Sequence, residues 1–184
     1  MPQSRQAADR DPARLFLALC PGEDVQAALA VHSDAWQWNT DAARYAPPDW
    51  HITLHFLGSV PRQRLDELRS GLAVPMTPFE LRFGQPELWR HGLAVLLPEA
   101  VPESFQRLHG SLAQALQRLG LKTEARPYRP HFTLARHAAL AQLPAQPPMF
   151  GWQVEGYALM ESTGDARQRY RVLQHYGALS RGRS

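Results

Sequence analysis

This 184-residue sequence predicts an α+β fold, and three observations carry the prediction. Strand-like apolar runs recur along the whole chain. Only three stretches have good helical spacing, and proline or glycine marks the stops between them. Antiparallel sheets with helices on one face account for this mixture. The length suits one compact domain with a sizeable core. We take that domain as residues 14 to 179, with 1 to 13 and 180 to 184 as flexible tails.

The first strand is RLFLAL, residues 14 to 19. The proline–glycine stop in PGEDVQAALAVHSDAW then precedes a helical pattern. WHITLHF is the second strand. In PRQRLDELRSGLA a proline suits the first helical turn, and Leu65, Leu68 and Leu72 recur at helical spacing. FELRF and GLAVLL read as further strands. Residues 102 to 119 form the clearest helix, with Phe105, Leu108, Leu112, Ala115, Leu116 and Leu119 on one stripe and Gly120 as its stop. PHFTLA is again strand-like. PAQPP marks a loop before two closing strands around QVEGYALM and RYRVLQHY.

Composition narrows the function. The formal charge of +3 and pI near 9.4 are compatible with phosphate-bearing partners but too small to prove nucleic-acid binding. Cys20 is the only cysteine, which excludes an intrachain disulfide and a thiolate metal cluster and suits a reducing compartment. No secretory signal or membrane-length apolar run is visible, so a cytoplasmic, membrane-free protein is expected, with a monomer as the default. No Walker run and no G-x-G-x-x-G is present, which argues against ATP-dependent chemistry.

The chemistry concentrates in an internal repeat. HITL at 51 to 54 and HFTL at 131 to 134 share the pattern His-x-Thr-Leu. Strand side chains alternate with period two, so His51 and Thr53 share one face, as do His131 and Thr133. Ile52, Leu54, Phe56, Phe132 and Leu134 then point into the apolar core. Two such strands facing a groove give two imidazoles and two hydroxyls. Near neutral pH one imidazole can be neutral and the other charged, a general base and a general acid with no metal or cofactor. The hydroxyls of Thr53 and Thr133 suit the non-bridging oxygens of a phosphate.

The paired motifs HITLHFLG and RPHFTLAR resemble the two-histidine phosphoesterase superfamily, specifically its LigT-like RNA 2′,3′-cyclic phosphodiesterases, also called 2′-5′ RNA ligase-like. RLFLALCPGE, ELWRHGLAVLL and YALMESTGDARQRYRVLQHYGAL are similar to the family's first strand, central strands and closing hairpin. The resemblance covers roughly residues 14 to 179. It implies two pseudo-symmetric lobes, each an antiparallel sheet backed by helices, with the active site in the groove between them. It also implies hydrolysis of a 2′,3′-cyclic phosphate, on RNA ends or cyclic nucleotides, to a 2′-phosphate. His131 would activate water and His51 would protonate O3′, while reversal would give ATP-independent 2′-5′ ligation.

Other residues enter as substrate-binding candidates. Arg136 matches the arginine of the family's motif, but alternation turns it from His131 unless the strand ends or bulges near Ala135. Arg129 has the correct parity. Phe16 is either a stacking face for a base or a core residue. His55 shares the parity of His51 yet lies ~13 Å along the strand, at the groove rim or an interface. The tryptophan-rich 36 to 50 segment is either an RNA-gripping lip or, as aromatics more usually are, packed inward.

Two rival functions are weighed. A metallohydrolase would use the histidines as ligands, but neither motif brings a neighbouring carboxylate or cysteine. A nucleotide- or RNA-binding module without turnover would not need an acid and a base.

Overall fold

The computed structural model describes residues 11 to 177. The expected closing tail and most of the opening one lie outside them, although Ala13, placed in the opening tail, already belongs to the first strand. The strands are β1 (Ala13–Leu19), β2 (Ala43–Arg44), β3 (Ile52–Val60), β4 (Phe79–Trp89), β5 (Leu93–Pro98), β6 (Phe132–Arg136), β7 (Phe150–Val154), β8 (Gly156–Ser162) and β9 (Tyr170–Gly177). The helices are α1 (Glu23–Asp34), α2 (Leu65–Gly71) and α3 (Glu103–Arg118).

All pairings are antiparallel and form one curled ladder, β7-β4-β5-β6-β3-β1-β8-β9, with β2 against β6. The two expected lobes are the halves of this ladder, β3-β1-β8-β9 and β6-β5-β4-β7. Each motif strand lies innermost in its half, and the halves join where Ile52 pairs with Phe132. In each half a strand, a helix and the motif strand come in the same chain order, β1-α1-β3 and β5-α3-β6, with the short β2 inserted between α1 and β3.

Apolar periodicity sets the helical face. The α3 stripe of Phe105, Leu108, Leu112, Ala115 and Leu116 is wholly buried, and the Phe105 ring stacks on Phe79 at 5.0 Å. Each such leucine contributes about 1.5–3 kcal/mol by leaving water. On the sheet side Phe132 packs against Phe83 and Trp152. A smaller cluster of Phe16, Ala18, Ala158 and Met160 lies on the opposite face of β1 and β8, so β1 is covered on both sides.

Several expectations need correction. QVEGYALM is the end of β7 and the start of β8 rather than one strand, with Glu155 between them. Phe56, expected in the core, is 56% exposed. The tryptophan-rich segment, by contrast, packs inward as the more usual of its two readings has it: Trp36 and Trp50 are buried, and Trp38 stacks on Trp36 at 5.0 Å with the Arg44 guanidinium over its ring. No helix among the described residues is long and apolar enough to cross a membrane.

Candidate active site

Each motif histidine stands one residue before its strand, after a proline-containing approach: a 3₁₀ turn at Pro47–Asp49 for His51, and Pro130 for His131. The two rings are anchored alike. His51 Nδ1 lies 2.8 Å from the Asp49 carbonyl, and His131 Nδ1 lies 2.7 Å from the Arg129 carbonyl. A carbonyl only accepts, so both Nδ1 atoms carry hydrogen and donate. Nε2 is thereby the reactive nitrogen of each ring, a base when bare and an acid when protonated.

Two matching β-bulges then reshape the strands. Between β1 and β3, Ala18 pairs with Thr53 and Leu17 with His55, leaving Leu54 as an extra residue. Between β5 and β6, Val95 pairs with Thr133 and Ala94 with Ala135, leaving Leu134 extra. Alternation breaks at the same point in both motifs. Leu54 and His55 are both buried, as are Leu134 and Ala135. The next residues, Phe56 and Arg136, return to the groove. This is the bulge that Arg136 required to face the motif residues. It also overturns the parity of His55, whose Nε2 contacts the His109 carbonyl at 2.9 Å and whose ring stacks on His109 at 4.0 Å.

A cavity of about 360 Å³ gathers His51, Thr53, His131, Thr133 and Arg136. Phe16 lines it too but is only 4% exposed. Its ring lies 5.0 Å from His51 and edge-on to Tyr170, so it buttresses the imidazole instead of offering a free face for a base. Arg129 lines an adjoining cavity instead: its guanidinium is 3.0 Å from the Glu87 carboxylate and 4.8 Å from the Trp89 ring centre, and its carbonyl is what anchors His131.

Sequence reasoning missed Tyr45, Arg169 and Tyr170. Arg136 and Arg169 lie over the Tyr45 ring at 5.6 and 5.3 Å, Arg169 also faces Asp49 at 3.7 Å, and Tyr170 meets His51 edge-on at 4.9 Å. No periodicity marks them; only the folded sheet brings β2, β9 and the β8–β9 loop beside the motif strands.

Burial sets the protonation state. It lowers His51 to about 4, partly offset by the Asp49 carbonyl and reinforced by charge on His131. Burial also lowers His131, opposed by the Arg129 carbonyl and assisted by the Arg129 charge. Both imidazoles are therefore neutral at pH 7 in the unliganded groove.

The model of the family described as the 2′-5′ RNA ligase superfamily matches residues 25–166. The chain is 35% identical over 171 residues to the RNA 2′,3′-cyclic phosphodiesterase of Thermus thermophilus, covering 81% of each chain. It is 30% identical over 175 residues to the protein of that name from Escherichia coli, covering 93% of this chain and 96% of the relative. The crystal structure of E. coli LigT complexed with 3′-AMP superposes with a TM-score of 0.77 at 25% identity, covering 92% of this chain and 99% of the other.

Proposed function

This chain belongs to the 2′-5′ RNA ligase superfamily, and from that premise we propose that its twin-histidine groove hydrolyses ribose 2′,3′-cyclic phosphates, on RNA ends or on nucleotides, to 2′-phosphates. The cyclic diester lies between His51 and His131. Water attacks phosphorus in line with O3′, forming the new P–O bond as the P–O3′ bond breaks. Nε2 of His131 takes the proton from water, and Nε2 of His51 delivers one to the departing O3′. The hydroxyls of Thr53 and Thr133 hold the non-bridging oxygens, where charge gathers in the transition state. Arg136 adds a cation on the same side of the groove.

The observation that carries this reading is the pair of Nδ1–carbonyl bonds, which present two Nε2 atoms to one cavity in the same tautomer. An acid and a base on opposite sides of phosphorus are what in-line displacement needs. The acid must acquire its proton in the complex, because burial keeps both rings neutral without ligand. The negative charge of the bound phosphate supplies that shift. A 5′-hydroxyl in place of water gives ATP-independent 2′-5′ joining by the same step.

The test is hydrolysis of a 2′,3′-cyclic mononucleotide and a 2′,3′-cyclic-ended oligoribonucleotide in excess EDTA, with the product read by phosphorus NMR. The 2′-phosphate is the expected product. Folded protein that binds both and turns over neither would leave a binding module instead.

A further inference from the structure

Two guanidiniums gather at the Arg136 end of the groove. Because Ile52 pairs antiparallel with Phe132, β3 and β6 leave that point in opposite directions, which puts Arg136 and Phe56 at opposite ends. β2 runs beside β6 there, and Tyr45 follows it as a buried ring lining the cavity. Arg136 comes from β6 and Arg169 from the β8–β9 loop, and their guanidiniums lie 5.6 and 5.3 Å from the Tyr45 ring centre. Like charges held against one ring repel unless an anion joins them. Asp49 brings one carboxylate, 3.7 Å from Arg169, while among the described residues Arg136 forms no ion pair. This end of the groove keeps a surplus of positive charge.

We propose that Arg169, together with Arg136, Tyr45 and Tyr170, forms a second phosphate subsite: it holds the phosphate on O5′ of the nucleotide whose ribose carries the cyclic phosphate. The inference rests on the function proposed above, because His51 and His131 place that nucleotide. An RNA end closed by a 2′,3′-cyclic phosphate carries a phosphodiester on O5′ of the same ribose, whereas a bare cyclic nucleotide carries none. Continuity argues for this occupant, since one cavity gathers both histidines with Tyr45, Arg136 and Tyr170. The subsite thus favours RNA ends and 5′-phosphorylated nucleotides over cyclic nucleoside monophosphates.

The donors suit a phosphate. A guanidinium only donates, and its planar fork matches two phosphate oxygens at once. The Asp49 contact of Arg169, at 3.7 Å, is longer than a hydrogen bond, so it orients the half-exposed side chain without occupying its fork. Tyr170 adds a hydroxyl. Burial raises its phenol, Tyr45 and Asp49 add to that, and the charges of Arg136 and Arg169 oppose it, so the hydroxyl lies among all four and keeps its proton at neutral pH. Its ring also meets His51 edge-on at 4.9 Å. One side chain therefore borders both the reacting phosphate and the second one.

The experiment compares kcat/KM for adenosine 2′,3′-cyclic phosphate, its 5′-phosphorylated form and an adenosine dinucleotide ending in a 2′,3′-cyclic phosphate, in wild type, Arg169→Met and Arg169→Lys. Wild type is expected to favour the compounds bearing a phosphate on O5′ by about ten- to a hundredfold, the range of one charge-assisted contact, and mainly through KM. Arg169→Met is expected to bring that ratio close to one, and Arg169→Lys to keep part of it as a point charge without the fork. A gain with the dinucleotide supports the subsite with an RNA chain as its occupant; a gain with the 5′-monophosphate alone supports it with a free nucleotide. A wild-type ratio near one, or a ratio that survives Arg169→Met, overturns the subsite while leaving the hydrolase reading intact. Equal losses on all three compounds in Arg169→Met also overturn it, because Arg169 would then act through Asp49 on His51. Failure of wild type on all three compounds overturns both the subsite and the hydrolase.

Discussion

Phe56 and Arg136 occupy equivalent places in the two motif strands, each five residues beyond its histidine and each turned back to the groove by a bulge at the preceding leucine. The backbone of the two halves is therefore matched, while the chemistry at this position is not. One half ends its motif in an apolar ring and the other in a permanent cation. A symmetric frame thus holds an asymmetric pair of groups.

Arg136 can be tested through phosphate affinity. Its guanidinium lies over Tyr45 in the cavity that also holds both motif histidines. A hydrogen bond to a charged group contributes about 1.5–3 kcal/mol. Arg136→Met should lower kcat/KM by roughly ten- to a hundredfold, and Arg136→Lys should recover only part because it lacks the planar fork. Steady-state kinetics on a cyclic mononucleotide decide it, and a rate unchanged in Arg136→Met would remove the residue from the site.

The paired imidazoles predict non-additive losses. His51→Ala and His131→Ala should each reduce kcat by about 10²–10⁴, the usual contribution of a general acid or base. The double substitution should cost little more than the worse single one, since acid and base act in one transition state. Multiplicative losses would mean that the two rings serve separate steps. Thr133→Val should cost less, about tenfold to a thousandfold, as loss of one donor to the developing charge does.

The pH dependence follows from burial. The competent form has one imidazole protonated and the other neutral, and both lie below the ordinary 6.5 in the free groove. The optimum of kcat/KM, which reports free enzyme, should therefore fall below pH 6.5, with activity declining as pH rises toward 8. The bound phosphate raises both groups, so the optimum of kcat should lie at higher pH than that of kcat/KM. A free-enzyme optimum above pH 7.5 would contradict the burial argument.

The parts of this site legible in sequence were those within reach of period-two alternation. His51 with Thr53 and His131 with Thr133 sit two residues apart, before either bulge, so parity placed each pair on one face. Beyond Leu54 and Leu134 parity fails. A bulge is a matter of register against the neighbouring strand, which local composition does not encode. Hence alternation exchanges the faces of Phe56 and His55. Phe16 had a different obstacle: β1 is covered on both sides, so alternation could not tell a core position from a groove position. The α3 stripe had no such competitor, and five of its six predicted residues are fully buried, with Leu119 packed against the same core.

Acid stability offers a test that needs no substrate. Burial lowers His51 and His109 to about 4 and also lowers His32, His55 and His131, while at His55 the His109 carbonyl and the Glu124 charge oppose part of the effect. For His109 the neighbouring His55 charge adds to burial, because two imidazoles stacked at 4.0 Å resist double protonation. The unfolded chain titrates these groups near 6.5. Between pH 6.5 and 4 it therefore binds more protons than the folded protein, so folding stability rises with pH there and is lost as pH falls. Urea unfolding between pH 7.5 and 4.5 should reveal this slope. His109→Phe keeps the aromatic stack on Tyr128 and the backbone carbonyl that contacts His55. It removes up to one titrating group, which should flatten the slope by up to ~1.4 kcal/mol per pH unit. An unaltered slope would mean that the His55–His109 stack opens and admits protons without unfolding.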